Sequence, residues 1–252
     1  MSCDASWSTF TKHQLHHGAL RCLKRRLARV VFQTPTHRSP KPNPALPTGS
    51  GLTWEKLMND APARIGTMAT EAIGLLIDAV DQIPPNSWDQ PSNLEDWSLR
   101  DLVGHATGSA AKIVTLVEDR EVWSGPSRPA DWVCEDPAAR LRELAARLRD
   151  ALPCADLDAM RASPEGEVAL HRALTYPVSD LALHSWDVHR SQGRLVDLPE
   201  DLLALCRGLV ESVPEDMLRR PGGFGAAQPA PEDSTPTARL MAYLGRSVDG
   251  QT

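Results

Sequence analysis

The chain lacks the cysteine arrangements that build a disulfide framework or a thiolate zinc site. None of its five cysteines falls in a Cys-x-x-Cys pair, and their number is odd. A reducing cytoplasm is therefore the expected location. Cys206 lies in an apolar helical pattern, which predicts a core residue.

Membrane spans, nucleophile elbows and phosphate-binding loops are also missing from the sequence. No stretch approaches the roughly 18 uncharged apolar residues of a membrane span, and no serine has the setting of a nucleophile elbow. The glycine-rich residues 222–225 follow no predicted strand, which argues against a phosphate cradle. No alternating strand pattern is convincing either, so helices should dominate.

Charge is distributed unevenly along the chain. The net charge is −6, but residues 1–50 carry eight lysines and arginines against one aspartate, a local net charge of +7. The rest of the chain is therefore strongly acidic. An acidic body is a poor match for a nucleic acid, so nucleic-acid binding is not expected from the body, and only the N-terminal segment could supply it.

Residues 1–60 form a basic, Pro/Ser-rich segment. We expect a disordered tail, or a mis-assigned start with Met58 or Met68 as the true first residue. Two alternatives remain open, since an arginine-rich, acid-poor segment also resembles an organelle transit peptide, and a basic tail could tether the protein to nucleic acid. The twin arginines Arg25 and Arg26 have no apolar region after them, which argues against export.

The acidic body reads as a series of amphipathic helices. Apolar residues at helical spacing predict helices at about 64–83, 99–117, 137–152, 177–192, 199–213 and 236–244. Four such helices with long crossovers favour an all-α four-helix bundle over residues 62–193. Residues 194–252 then form a short helical C-terminal extension.

The second helix has an unusually complete start signal. Ser98 is a natural N-cap and Asp101 stands three residues on, as in a capping box. Trp97 and Leu102 occupy the two positions of a hydrophobic staple.

Two of these helices carry polar residues beside their apolar stripes. At 100° per residue, His105 lies next to the stripe of the second helix, and His184 lies next to that of the fourth with Asp180 one turn before it. His189 points across the fourth stripe, away from His184. Structural alternatives stay open, because Asp101 fits its capping box and Asp180 could favour the helix dipole in a first turn.

His105, Asp180 and His184 could together hold one divalent metal ion. Two nitrogens and one oxygen suit zinc, and also iron, nickel or manganese, and three protein ligands leave a position for water or substrate. Asp187 could orient a ligand histidine from outside the coordination sphere, or it could cap or bridge helices. Histidines beside an apolar stripe can also be core residues with satisfied hydrogen bonds.

Several separated motifs resemble one known family. The run Trp88-x-x-Pro91-Ser92, followed by Trp97-Ser-Leu-Arg-Asp101-Leu-Val-Gly-His105, is similar to the start of the metal-binding domain of mycothiol-dependent maleylpyruvate isomerases, which are DinB-like helix bundles. Asp180-x-x-x-His184 matches the family's second element. The closing motif Arg239-Leu-x-x-Tyr-Leu-Gly-Arg246 resembles an uncharacterised branch of the group. The resemblance covers about residues 62–247.

The resemblance implies a fold, a metal and a class of chemistry. It implies a DinB-like bundle that holds a divalent metal, zinc first, at His105, Asp180 and His184. It also implies a transferase or isomerase that uses mycothiol, a low-molecular-weight thiol, on a small electrophilic substrate. Where the isomerase has glutamate this chain has Asp180, and only about sixty residues follow Gly193. The alternative is a helical bundle that binds a metal or small molecule without turnover, and a homodimer is left open.

Overall fold

The structure is a computed structural model that describes residues 54–123, 125–163, 166–220 and 223–248, with side chains from Arg64 onward. Residues 1–53 of the predicted basic tail lie outside the described residues, as does part of the glycine-rich run at 222–225. The division into tail, bundle and extension therefore stays a prediction.

Four helices form a closed ring around the core. They are α1 (Trp54–Asp81), α2 (Leu99–Val117), α3 (Pro137–Ala151) and α5 (Thr175–Arg190). Helix α5 packs against α1 and α2, and α3 packs against the same two helices from the other side. The predicted all-α bundle is confirmed. Helix α1 begins at Trp54, ahead of the predicted start at about residue 64, and so includes Pro62 and the last residues of the predicted tail.

The ring is held together by apolar side chains at helical spacing. On α1 this spacing places one side chain per turn against the other helices, as the periodicity predicts. The largest completely enclosed side chains come from α1, α2, α3 and α5: Ile65, Met68, Ile73, Leu76, Leu99, Leu102, Ile113, Leu141, Leu144, Leu148 and Trp186. A core built from four helices fixes the faces that α2 and α5 turn toward each other.

A short hairpin and a single helical turn connect α3 to α5. Strand β1 (Met160–Ser163) pairs antiparallel with β2 (Gly166–Ala169), with Met160 opposite Ala169, and α4 (Leu170–Ala173) follows. The sequence did not predict this hairpin, since four residues per strand are too few to show an alternating pattern. It is the only sheet in the described part of the chain.

The C-terminal residues pack onto one side of the ring. Helix α6 (Glu200–Ser212) contacts α5 and α1, and α7 (Glu215–Leu218) and α8 (Pro236–Tyr243) follow. Leu240, Met241 and Leu244 of this region are buried in the common core. Among the described helices, none is long and apolar enough to cross a membrane.

The predicted capping box at the start of α2 is present. Asp101 N donates to Ser98 Oγ at 3.2 Å, and Ser98 N donates back to Asp101 Oδ2 at 3.1 Å. Two backbone donors that the helix cannot pair are thus satisfied. Asp101 acts as a cap.

Removal of the Ser98 hydroxyl should therefore weaken the fold measurably. We expect Ser98→Ala to lower the free energy of unfolding by about 1 kcal/mol, because an N-terminal donor of α2 loses its acceptor. Urea denaturation measures the change. Ser98→Thr keeps an acceptor oxygen and should stay close to the wild type, whereas an unchanged Ser98→Ala would show that the box contributes nothing.

Candidate metal centre

Helix α2 brings His105 to the interface with α5. The side chain is buried, and its Nδ1 lies 2.6 Å from the carbonyl oxygen of Ser127. A carbonyl oxygen can only accept, so Nδ1 carries the hydrogen and donates it. In the neutral ring Nε2 then has its lone pair free for a ligand on the α5 side.

Two glycines on α2 allow the Ser127 carbonyl to come this close. A Cβ at Gly108 would overlap the Ser127 side chain and lie 2.7 Å from Trp132 Cδ1. A Cβ at Gly104 would lie 2.9 Å from both the Pro129 carbonyl oxygen and Val133 Cγ2. The segment that connects α2 to α3, called the crossover below, therefore packs directly on the backbone of α2. This contact positions the Ser127 carbonyl oxygen as the hydrogen-bond acceptor for His105.

Helix α5 supplies Asp180 and His184 on the facing side. Asp180 Oδ2 lies 3.3 Å from His105 Nε2, and Asp180 Oδ1 lies 3.5 Å from His184 Nε2. Ser109 of α2 donates a hydrogen bond of 2.6 Å to Asp180 Oδ2. Because α5 begins at Thr175, Asp180 lies beyond the first turn. The alternative that placed it there, to favour the helix dipole, is wrong.

The three predicted side chains thus lie together in space. One ligand atom from each of His105, Asp180 and His184 lies within 4.8 Å of the other two. The histidine rings meet edge to face, with centroids 4.8 Å apart. Three side chains placed in this way could serve as a facial set of metal ligands.

His184 is oriented by Asp187, a residue with several partners. Asp187 Oδ2 accepts from His184 Nδ1 at 3.0 Å, so in the neutral ring the hydrogen stays on Nδ1 and the lone pair of Nε2 is available to a metal ion. The Asp187 side chain is completely buried. Asn93 donates to Asp187 Oδ1 at 2.9 Å, and Arg246 donates to both carboxylate oxygens, at 3.3 and 3.1 Å. Asp187 therefore connects His184 with two other segments of the chain, and its predicted role beside a metal ligand stays a prediction.

Sequence reasoning missed three parts of the site: Ser127, Asn93 and Arg246. Ser127 acts through its backbone carbonyl, which no side-chain pattern reveals. Arg246 stands in the closing Gly-Arg motif, so the sequence marked this residue as part of the family resemblance but did not indicate its contact with Asp187. Trp97 was assigned only to a staple, yet its ring centroid lies 4.9 Å from that of His105 and 6.3 Å from that of His184. It therefore covers one side of both rings.

The site is electrostatically coupled. Burial alone would raise the pKa of Asp180, but the two neighbouring histidines, with His184 contributing most, outweigh burial and hold that pKa well below its ordinary value. Burial would lower the pKa of His184, but Asp180 and Asp187 raise it to about 9. For Asp187 the Arg246 guanidinium and His184 outweigh burial and lower the pKa. Without a metal, a proton on His184 balances the carboxylates.

Other candidate residues lie outside the cluster. Among the described side chains the group with metal-ligand spacing contains neither His189 nor Asp101. His171 Nδ1 lies 3.0 Å from the Leu157 carbonyl oxygen, a structural hydrogen bond. Cys206 is completely buried, as predicted for a core residue, and burial raises the pKa of its thiol to about 12.

The chain is similar to known proteins over part of its length. Residues 69–189, which include all three cluster residues, match the family model of the mycothiol maleylpyruvate isomerase N-terminal domain. Two uncharacterized proteins of Mycobacterium tuberculosis, from strains CDC 1551 / Oshkosh and ATCC 25618 / H37Rv, are each 28% identical over 167 residues. The matches cover 63% of this chain and 84% of the relative.

Two solved structures are also similar in part. They are the mycothiol-dependent maleylpyruvate isomerase and a single-substitution mutant of it, each with a TM-score of 0.48 and 15% sequence identity. The superposed residues cover 59% of this chain and 69% of the other.

A side chain at Gly108 should disturb the fold and the site together. We expect Gly108→Ala to lower the free energy of unfolding by about 1–3 kcal/mol, because the new methyl group displaces the crossover that carries Ser127 and Trp132. Thermal and urea denaturation measure this loss.

Gly74→Ala is the matched control for that substitution. Gly74 also lies inside a helix, but a Cβ there would meet nothing within 4 Å. Its replacement by alanine should raise the free energy of unfolding, by up to about 1 kcal/mol, because alanine is the better helix former. Equal effects of the two substitutions would contradict the close approach at Gly108.

The metal-free protein should lose stability as the pH rises above neutral. The pKa of His184 is raised from 6.5 to about 9 in the folded protein, so its stabilising contribution is complete below pH 6.5 and disappears as the pH passes about 9. Urea denaturation in the presence of a chelator, between pH 6.5 and 9.5, measures the fall. The His184→Gln variant cannot titrate there and should show a shallower dependence. A wild-type profile as shallow as that of the variant would contradict the coupling.

Proposed function

We propose that this chain binds one divalent metal ion, a proposal supported by the match of residues 69–189 to the model of the mycothiol maleylpyruvate isomerase N-terminal domain family. His105, Asp180 and His184 are the proposed ligands, with zinc the preferred ion. Asp187 is proposed to orient His184 from outside the coordination sphere.

One observation carries this proposal: both histidines keep Nδ1 engaged and present Nε2 to the same carboxylate. Ligand atoms about 2.1 Å from a tetrahedral ion lie roughly 3.4 Å from one another. Asp180 Oδ2 stands at about that spacing from His105 Nε2, at 3.3 Å, and Asp180 Oδ1 does so from His184 Nε2, at 3.5 Å. The donor set also suits zinc chemically, and engaged Nδ1 atoms are the usual outer contacts of histidine ligands.

The proposed activity is thiol-dependent transfer or isomerisation on a small electrophilic substrate. A bound metal ion would favour the thiolate of a low-molecular-weight thiol such as mycothiol near neutral pH. The chain does not supply that thiol through Cys206, because this side chain is buried and its pKa is raised to about 12. The nucleophile is proposed to come from a small molecule, as the mycothiol dependence named in the matching family model suggests.

Substrate would reach the ligands from the side of Asp180. The Asp180 side chain is 18% exposed, about twice the exposure of the two histidine side chains, so the cluster meets solvent at the carboxylate. Tyr176 stands one turn before Asp180 on α5 and is 60% exposed. Lys112 of α2 is close enough for the Asp180 carboxylate to oppose the burial that lowers its pKa. We propose that these two side chains flank the approach to the ligands and contact substrate.

Metal titration tests the ligand set. We expect the stripped wild-type protein to take up about one equivalent of zinc. His105→Ala and Asp180→Ala should lose this uptake, because each removes one of three ligands. His171→Ala is the matched control, since His171 is hydrogen-bonded elsewhere in the fold. Uptake below about a tenth of an equivalent by the wild type would exclude the metal centre.

A thiol-consumption assay separates catalysis from metal binding alone. The zinc-loaded protein should consume mycothiol in the presence of chlorodinitrobenzene, with release of chloride, or isomerise maleylpyruvate with mycothiol as a regenerated cofactor. The Asp180→Ala variant should show neither activity. Full zinc occupancy without turnover of either substrate would instead favour a bundle that binds the metal for structure or for ligand recognition.

A further inference from the structure

The C-terminal residues reach the candidate metal centre through one arginine. Arg246 is only 6% exposed, although it stands near the end of the described chain. Its Nε and Nη2 donate to the two oxygens of Asp187 at 3.3 and 3.1 Å. The same carboxylate accepts from His184 Nδ1 at 3.0 Å. A continuous chain of charged hydrogen bonds therefore runs from the extension to a proposed metal ligand.

Arg246 is held in place by contacts of its own. Its Nη1 donates to the Leu244 carbonyl oxygen at 3.0 Å, and its guanidinium lies 5.0 Å from the centre of the Phe224 ring. The preceding residue, Gly245, has φ +86°, and a Cβ there would lie 2.7 Å from the Gly225 backbone. Only glycine accommodates both the conformation and the contact. The turn aims the guanidinium at Asp187.

Asn93 holds the remaining side of the same carboxylate. Its Nδ2 donates to Asp187 Oδ1 at 2.9 Å, and Ser191 Oγ accepts from the Asn93 backbone N at 3.0 Å. A completely buried carboxylate with donors from three segments has one orientation. A neutral asparagine cannot balance its charge, so Arg246 supplies the compensation that burial requires.

We propose that Arg246 is a positioning residue of the metal centre, which fixes the ring and the hydrogen of His184 through Asp187. This inference rests on the metal site of the proposed function. The planar guanidinium presents two donors to one carboxylate, which sets the plane of Asp187 as well as its charge. The C-terminal extension thereby completes a site whose ligands all lie in the preceding helices.

Zinc affinity of the full chain tests the role of Arg246. We expect Arg246→Met to raise the zinc dissociation constant about 10- to 100-fold, the usual loss when an outer partner of a histidine ligand is removed. Arg246→Lys keeps the positive charge but not the two parallel donors of the guanidinium, so its zinc affinity should fall less than that of Arg246→Met. Competition with a chromophoric chelator gives the constants, and the visible spectrum of the cobalt-substituted protein reports ligand geometry independently of activity.

Arg219→Met is the matched control for the arginine. Arg219 belongs to the same extension, donates to the carbonyl oxygens of Gly225 and Tyr243, and lies 4.8 Å from the centre of the Tyr243 ring. It has no contact with Asp187 among its described hydrogen bonds. Its loss should disturb the extension without changing zinc affinity or the cobalt spectrum. An equal loss of affinity in both variants would overturn the inference, since it would reflect general packing.

A double-mutant cycle with Asp187→Asn decides whether Arg246 acts through Asp187. Asp187→Asn should itself weaken zinc binding, and Arg246→Met should then add no further loss. The double variant buries no unpaired charge, so it remains informative if Arg246→Met alone fails to fold. A further loss in the double variant overturns the inference. If the wild type binds no zinc, the proposed function is wrong. If the wild type and Arg246→Met bind zinc with the same dissociation constant, only the inference about Arg246 is wrong.

Discussion

The burial of a polar cluster between α2 and α5 is the constraint on which the rest of this structure depends. His105, His184 and Asp187 are almost fully withdrawn from water, and Asp180 is partly so. Burial of such groups costs several kcal/mol each unless hydrogen bonds and opposite charges compensate. Each group therefore needs a partner at a defined place. Connecting segments supply these partners: Ser127 from the crossover after α2, Asn93 from the loop before it, and Arg246 from the extension.

The backbone shape of α2 follows from the same constraint. An apolar core alone would fill the space beside α2 with ordinary side chains, and several residue choices would pack equally well. Gly104 and Gly108 instead place no side chain on α2 where the crossover approaches. The crossover can therefore pack close enough for the Ser127 carbonyl oxygen to accept a hydrogen bond from His105. The close packing of the crossover on α2 and the hydrogen bond between Ser127 and His105 therefore depend on the same contact. A substitution at either glycine would displace the crossover and so weaken the hydrogen bond to His105, although neither glycine contributes to that bond.

The sequence predicted the helices and the three clustered side chains because both depend on local periodicity. Helical phasing placed His105 and His184 beside their apolar stripes and turned His189 away, and the structure has the first two together and His189 outside the cluster. The capping box was readable because Ser98 and Asp101 are three residues apart. Whether the cluster binds a metal is a matter of chemistry that periodicity does not decide.

The partners of the cluster could not be predicted in this way, since they depend on long-range folding. Asn93 and Arg246 meet Asp187 across 94 and 59 residues of sequence, and Ser127 contributes only its backbone. No spacing rule links such positions. The hairpin was not predicted for a different reason. Its interactions are local, but its strands are too short to show an alternating pattern. Trp97 shows a third limit, because a residue that one local rule explains can have a second role. The sequence pattern predicted Trp97 as part of a hydrophobic staple, and its proximity to both histidine rings depends on the packing of α2 against α5.

The position of Arg246 also bears on what counts as the functional unit of this chain. The family match ends at residue 189, and every proposed metal ligand lies within it. Arg246, which donates to both oxygens of Asp187, lies outside the match. Removal of a charged partner from a buried carboxylate is strongly destabilising, and the matched domain by itself would leave Asp187 with only His184 and Asn93 as donors. The C-terminal residues therefore contribute to the electrostatics of the site, and a boundary drawn at residue 193 divides one hydrogen-bonded network into two parts.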